Sequence, residues 1–122
     1  MAVTYTTALK NTRLDAVVTA IGAAGKLEIG TTGMGTVLAT ITLETTAGTT
    51  SGGVLTFSSF PKSDSSADAT GTAAAARIRT SANADVVTGL TVGTSGTDVI
   101  LDSTSITSGQ VVTINSATIT HG

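Results

Sequence analysis

The sequence predicts an all-β domain, an antiparallel β-sandwich of jelly-roll-like form with one short N-terminal α-helix. Three observations carry that prediction. Between Lys26 and Thr120 runs of Val, Ile and Leu alternate with Thr, so each run can bury one face and solvate the other. Gly, Ser and Asp punctuate the runs at short spacings. Only one stretch, Thr7–Ile21, changes to the period of a helix.

The elements follow in chain order. Residues 1–5, MAVTY, form a mildly apolar arm with no side-chain charge. In the helix, Leu14, Val17, Val18 and Ile21 fall at i, i+3, i+4 and i+7, with Thr6 as N-cap and Gly22 as the stop. Strands are expected at Lys26–Ile29, Thr36–Glu44, Val54–Phe57, Thr72–Arg79, Asp85–Val92, Thr97–Leu101 and Gln110–Thr120. The Ala73–Ala76 run belongs to a strand, because Arg77-Ile78-Arg79 continues it with period two. Gly30–Gly35 reads as a loop, Ala47–Gly53 as turns and Lys62–Thr70 as a polar surface loop, with Pro61 ending any pairing beyond Phe60. Gly93-Thr94-Ser95-Gly96 reads as a hairpin turn, and Ser103–Gly109 as an arch pinned to the core by Ile106. In the last strand Val112 and Ile114 are one residue out of phase with Ala117 and Ile119, which places a β-bulge at Asn115-Ser116. Val37, Ile41, Val99, Leu101, Val112 and Ile114 are expected inside.

Composition narrows the function. A chain of 122 residues is one domain, 1–122, able to bury roughly two-thirds of its unfolded surface. Seventeen alanines and only three aromatics (Tyr5, Phe57 and Phe60) make the core thin, which favours added burial between subunits, as a dimer or trimer. Charged residues are 11% of the chain and the net charge is −2 with no basic block, so nucleic acid is not an expected partner. No run reaches membrane-spanning length, and no basic segment followed by an apolar stretch marks export. Twenty-seven threonines and 12 serines suit strand faces that are polar without charge.

Reactive chemistry is sparse. The one histidine, His121, is penultimate, which is poor support for a catalytic triad. Asp64 and Asp68 lie in a Ser-rich segment that lacks the glycine and terminal Glu of a Ca²⁺ loop, and surface solvation is the simpler role. Asp98 and Asp102 flank Val99 and Leu101 and fit edge charges that discourage stray pairing. Gly33-Met34-Gly35 does not extend to a dinucleotide fingerprint, and there is no cysteine for a thiolate metal site. No catalytic, metal or cofactor residues are assigned, and the chain is not expected to be an enzyme. Arg77 and Arg79 share one strand face about 7 Å apart. They are either solvated or a docking patch for acidic side chains of another protein.

Three segments carry a resemblance: LDAVVTAIGAAGKLEI, GTVLATITL and the block VGTSGTDVILDSTSITSGQVVTINSATITHG. They resemble small virion proteins of tailed phages, of the capsid decoration or cement type. The resemblance implies a jelly-roll-like structural protein, made in the bacterial host cytoplasm, that sits on the virion exterior and binds the major capsid protein. It implies no cofactor. On this reading Ala2, Val3, Thr4 and Tyr5 are candidates to add a strand to a partner, with Arg77 and Arg79 as a charged contact. The alternative is a tail, collar or surface recognition module for a host receptor or glycan, which the scarcity of stacking aromatics disfavours.

Overall fold

The computed structural model describes residues 5–58 and 60–120. One α-helix, α1 (Thr7–Ile21), precedes eleven strands: β1 (Lys26–Gly30), β2 (Val37–Thr42), β3 (Gly48–Ser51), β4 (Val54–Phe57), β5 (Lys62–Asp64), β6 (Gly71–Thr72), β7 (Ala75–Arg79), β8 (Asp85–Gly93), β9 (Val99–Leu101), β10 (Ser105–Ile106) and β11 (Val112–Thr120). The mostly-β class with a single N-terminal helix therefore holds. Its layering differs from two facing antiparallel sheets. Nine strands join edge to edge in the order β2-β1-β7-β8-β9-β11-β4-β3, with β5 also on β11, and this mixed sheet curls into a half-barrel. The ninth-to-eleventh strand region explains the joining. β11 is long enough to pair β9 along one edge and both β4 and β5 along the other, so it links what would otherwise be separate sheets.

Local signals built α1 as the sequence implies. The Thr6 hydroxyl accepts the Leu9 N–H at 3.2 Å, and Gly22, at φ 70°, donates its N–H to the Val18 carbonyl. Leu14 and Ile21 are buried in the same cluster as the sheet residues Leu27, Ile41, Leu55, Phe57, Ile78, Leu101 and Ile114, with Val17 and Val18 packed against it. The helix thus fills the hollow of a sheet that is poor in large side chains. Ile106 is 2% exposed, so the Ser103–Gly109 arch is pinned as expected, and β10 within it pairs β6. The bulge in β11 lies where the phase slip put it: Ile114 faces Leu101 and Ser116 faces Ile100, leaving Asn115 extra.

Several expectations are corrected. Gly48–Ser51 is a strand and not part of a turn. The reversal is confined to Gly52-Gly53, both at positive φ, which is the two-residue hairpin geometry between paired Ser51 and Val54. Lys62–Asp64 is a strand too: pairing with β11 resumes directly after Pro61, and Ala67 beyond it is buried. The Thr72–Arg79 strand is split, because Ala73 donates to the Thr104 carbonyl and Ala74 to that of Gly30. Val37 is only half-buried, while Leu38 is fully buried. The cause is a register shift in which Ile29 faces Ala39 but Gly30 faces Val37, turning the extra residue Leu38 inward. The other five expected core residues, Ile41, Val99, Leu101, Val112 and Ile114, are buried.

Gly93–Gly96 is not a hairpin, since β8 and β9 run parallel, with Val92 beside Val99. The Asp98 carboxylate accepts the Thr91 N–H and hydroxyl, at 3.0 and 3.1 Å, and Asp98 N–H returns a bond to that hydroxyl. This clamp closes the loop so that the chain re-enters beside β8 in the same direction. Asp98 and Asp102 consequently flank an interior strand, not an edge, and Asp102 accepts from the Asn115 side-chain amide at 2.8 Å.

The mouth of the half-barrel is bridged without a strand ladder. Asp64, expected as a solvating charge, instead accepts the Thr40 N–H at 3.0 Å, while Asp68 N–H donates to the Leu38 carbonyl at 2.7 Å. Lys62 pairs with Glu44 across the same gap. The outer edge of β2 is in this way held beside β5.

Candidate functional site

The register of β1, β7 and β8 gathers five of the chain's fourteen charged residues on one face. Glu28 lies opposite Arg77, Lys26 opposite Arg79, and Arg79 opposite Asp85. Leu27, Ile29, Ala76 and Ile78 alternate with these residues and are fully buried, so the charged residues occupy the face turned away from the core. Glu28 is nevertheless only 8% exposed, because the two arginines fold over it. Arg77 Nε donates to Glu28 Oε1 at 2.6 Å, and Arg79 Nη1 stands 3.8 Å from the same oxygen. Arg79 Nε is 2.8 Å from Asp85 Oδ1 but not aligned for a hydrogen bond, so that contact is an ion pair alone. Lys26 Nζ donates to Asn83 Oδ1 at 2.9 Å, tying the β7–β8 turn to β1.

Glu28 serves the two guanidiniums in a definite way. Arginines at adjacent positions on one strand face repel, and a carboxylate between them offsets that repulsion where solvent screens little. Its bond to Arg77 is charge-assisted, the stronger class of hydrogen bond. Arg79 is engaged with two carboxylates. Arg77 spends only Nε on Glu28, and its Nη atoms make no hydrogen bond among the described residues.

Beside Arg77 the sheet face is hollow. The pairs Ala76–Leu90 and Ile78–Val87 leave Arg77 facing two residues of β8, Thr88 and Gly89, a bulge with Gly89 at φ 77°. Across from it a 3₁₀ turn, Thr32–Met34, folds over the end of β1. Thr31 anchors that turn, its N–H donating to the Thr36 carbonyl and its hydroxyl accepting the Thr36 N–H. A Cβ on Gly30 would come within 2.8 Å of the Thr36 carbonyl oxygen and 2.9 Å of Met34 Sδ and Cε, so glycine lets the turn close on β1 with Met34 against it. The result is a groove of about 440 Å³ lined by Met34, Ala75, Arg77, Thr88, Gly89 and Thr91 among others.

Of the other residues singled out from the sequence, Ala2, Val3, Thr4 and His121 lie outside the described residues. Tyr5 is 40% exposed, with the Arg13 guanidinium carbon 4.9 Å from its ring centre. Asp64 and Asp68 do not come together with a third ligating group, and no cluster of three or more metal-ligating side chains occurs among the described residues. Sequence reasoning missed Glu28 and the β8 bulge. The glycine inside a strand pattern at position 89 was the available signal for the second. Comparison with known proteins adds no relative: no family model, no curated protein and no solved structure matches the chain.

Proposed function

We propose that the chain is a structural virion protein, a capsid decoration or cement protein that binds the exterior of a bacteriophage shell and bridges major capsid protein subunits, most simply as a dimer or trimer. The resemblance of the three sequence segments motivates this reading. The observation that carries it is the character of the outer surface. Six of the fourteen charged side chains are ion-paired within the chain and five more (Asp15, Lys26, Asp64, Asp98 and Asp102) are hydrogen-bonded, and exposed strand positions such as Thr42, Thr49, Thr56 and Thr120 are polar but uncharged. Such a surface can be buried against another protein without stranding an ion. Several modest contacts per oligomer then combine through avidity once one subunit has docked. A glycan-binding module is less well served, because Phe57 is in the core and Tyr5 is stacked with Arg13.

A density map of the purified particle tests the proposal: regular density on the shell exterior, in many copies, is the expected result. A few copies confined to the tail or collar would overturn it in favour of recognition. The arm has its own test. Deleting residues 2–5 is expected to leave the fold intact and lower occupancy on washed particles, and full occupancy of the truncated protein would remove the arm from the contact.

A further inference from the structure

We propose that the groove between the Thr32–Met34 turn and the β8 bulge binds an acidic, extended segment of a protein partner, with Arg77 as its carboxylate anchor. The identification of that partner with a capsid subunit rests on the reading above; the binding chemistry does not.

Five features of the groove converge. Arg77 is held in place before any ligand arrives, since its Nε is bonded to Glu28 and its side chain is 22% exposed, leaving the Nη edge to a second carboxylate. A guanidinium fixed in this way loses little freedom on binding and presents a planar donor pair that matches a carboxylate. The surrounding charge also favours an anion, with Lys26, Arg77 and Arg79 against Glu28 and Asp85, three cations to two anions. Space is provided by the absence of large side chains: a Cβ at Gly89 would meet nothing within 4 Å, and Ala75, the next residue on the Arg77 face of β7, is paired with Gly30 of β1. Met34 supplies an apolar wall. Lastly, the bulge places Thr88 and Gly89 together opposite Arg77, which lengthens the groove along β8 for an extended chain.

Size and charge select a protein segment over other anions. The groove lies in the lower half of the range of about 300–1,000 Å³ usual for binding pockets, enough for a few residues of extended chain. A nucleic-acid backbone would require several cations in a row, and the groove is lined by a single arginine.

The test is a ¹H–¹⁵N NMR titration of the isolated protein with the blocked peptide Ac-Ala-Ala-Glu-Ala-Ala-NH₂, its Gln counterpart and sodium acetate. The Glu peptide is expected to shift amides at Gly33–Met34, Ala75–Arg77 and Thr88–Thr91, with affinity about tenfold or more above that of the Gln peptide and of acetate. Arg77→Gln should abolish those shifts. Ala75→Phe, which fills the floor while leaving the Arg77–Glu28 pair in place, should do the same with the folded spectrum retained. Equal affinity for acetate, equal affinity for the Gln peptide, shifts scattered over the surface, or undiminished binding by Ala75→Phe would each overturn the proposal. No particle enters this experiment, so its failure leaves the decoration reading standing. If the peptide binds while Ala75→Phe keeps full occupancy on particles, the groove is real and its partner is not the shell.

Discussion

The two nine-residue strands, β8 and β11, are both bulged and do opposite things with the extra residue. In β11 the bulge serves the core. Asn115 is expelled between Ile114 and Ser116 so that Ile114 and Ala117 both stay buried, and its side-chain amide is secured by Asp102. β11 is also braced on both edges, by β9 on one and by β4 and β5 on the other. In β8 the bulge serves the surface. Only Leu90 of this strand is buried, and the two residues that oppose Arg77, Thr88 and Gly89, open a hollow beside it. What a bulge is for can thus be read from what lies opposite it: an apolar partner in one case, a half-buried cation in the other.

The comparison can be broken most severely at Asn115. Deleting it should keep the pairing with β9, because Ile114 opposite Leu101 and Ser116 opposite Ile100 become consecutive pairs. It also draws β4 and β5 one residue closer along the other edge and removes the Asp102 partner, and should cost about 3 kcal/mol in thermal or chemical denaturation. A deletion variant that melts cooperatively near the parent temperature would show that the bulge is incidental to the core. Glu28→Gln comes next. It removes the carboxylate shared by two arginines and should cost about 2 kcal/mol in chemical denaturation, the usual scale for a charge-assisted hydrogen bond left unmade. Gly89→Ala should be mildest, about 1–2 kcal/mol, because the new methyl meets no neighbour and the cost is that of the left-handed backbone alone. A larger loss would mean that the bulge supports the core after all.

Much of this architecture was legible in the sequence, for reasons that are local. The helix declares itself through Thr6, Gly22 and the spacing of Leu14 and Ile21. The β11 bulge does so because two apolar pairs bracket it out of phase. The arch was legible through the lone Ile106. What escaped depends on partners far along the chain. Gly48–Ser51 and Lys62–Asp64 are short and polar, and become strands because β4 and β11 offer them edges. The turn residues of Gly93–Gly96 are right for a reversal, but the Asp98–Thr91 clamp, not those residues, sets the strand direction. The Arg77–Arg79 pair was visible as a face. Its compensating Glu28, 49 residues from Arg77, was not, and without Glu28 nothing distinguishes a fixed guanidinium from two solvated ones. The β8 slip was masked because Val86, Val87 and Thr88 lie at half-buried or exposed positions, where pattern carries little information.

The central claim is that the outer face of β7 and β8, and not the braced strand β11, meets the partner. Hydrogen exchange of the protein free and on particles measures this directly. The account predicts slowed exchange at Gly33, Met34, Thr88 and Gly89 on binding, with β11 amides unchanged. Protection gained along β11 or β3, with those four amides exchanging as in the free protein, would contradict it.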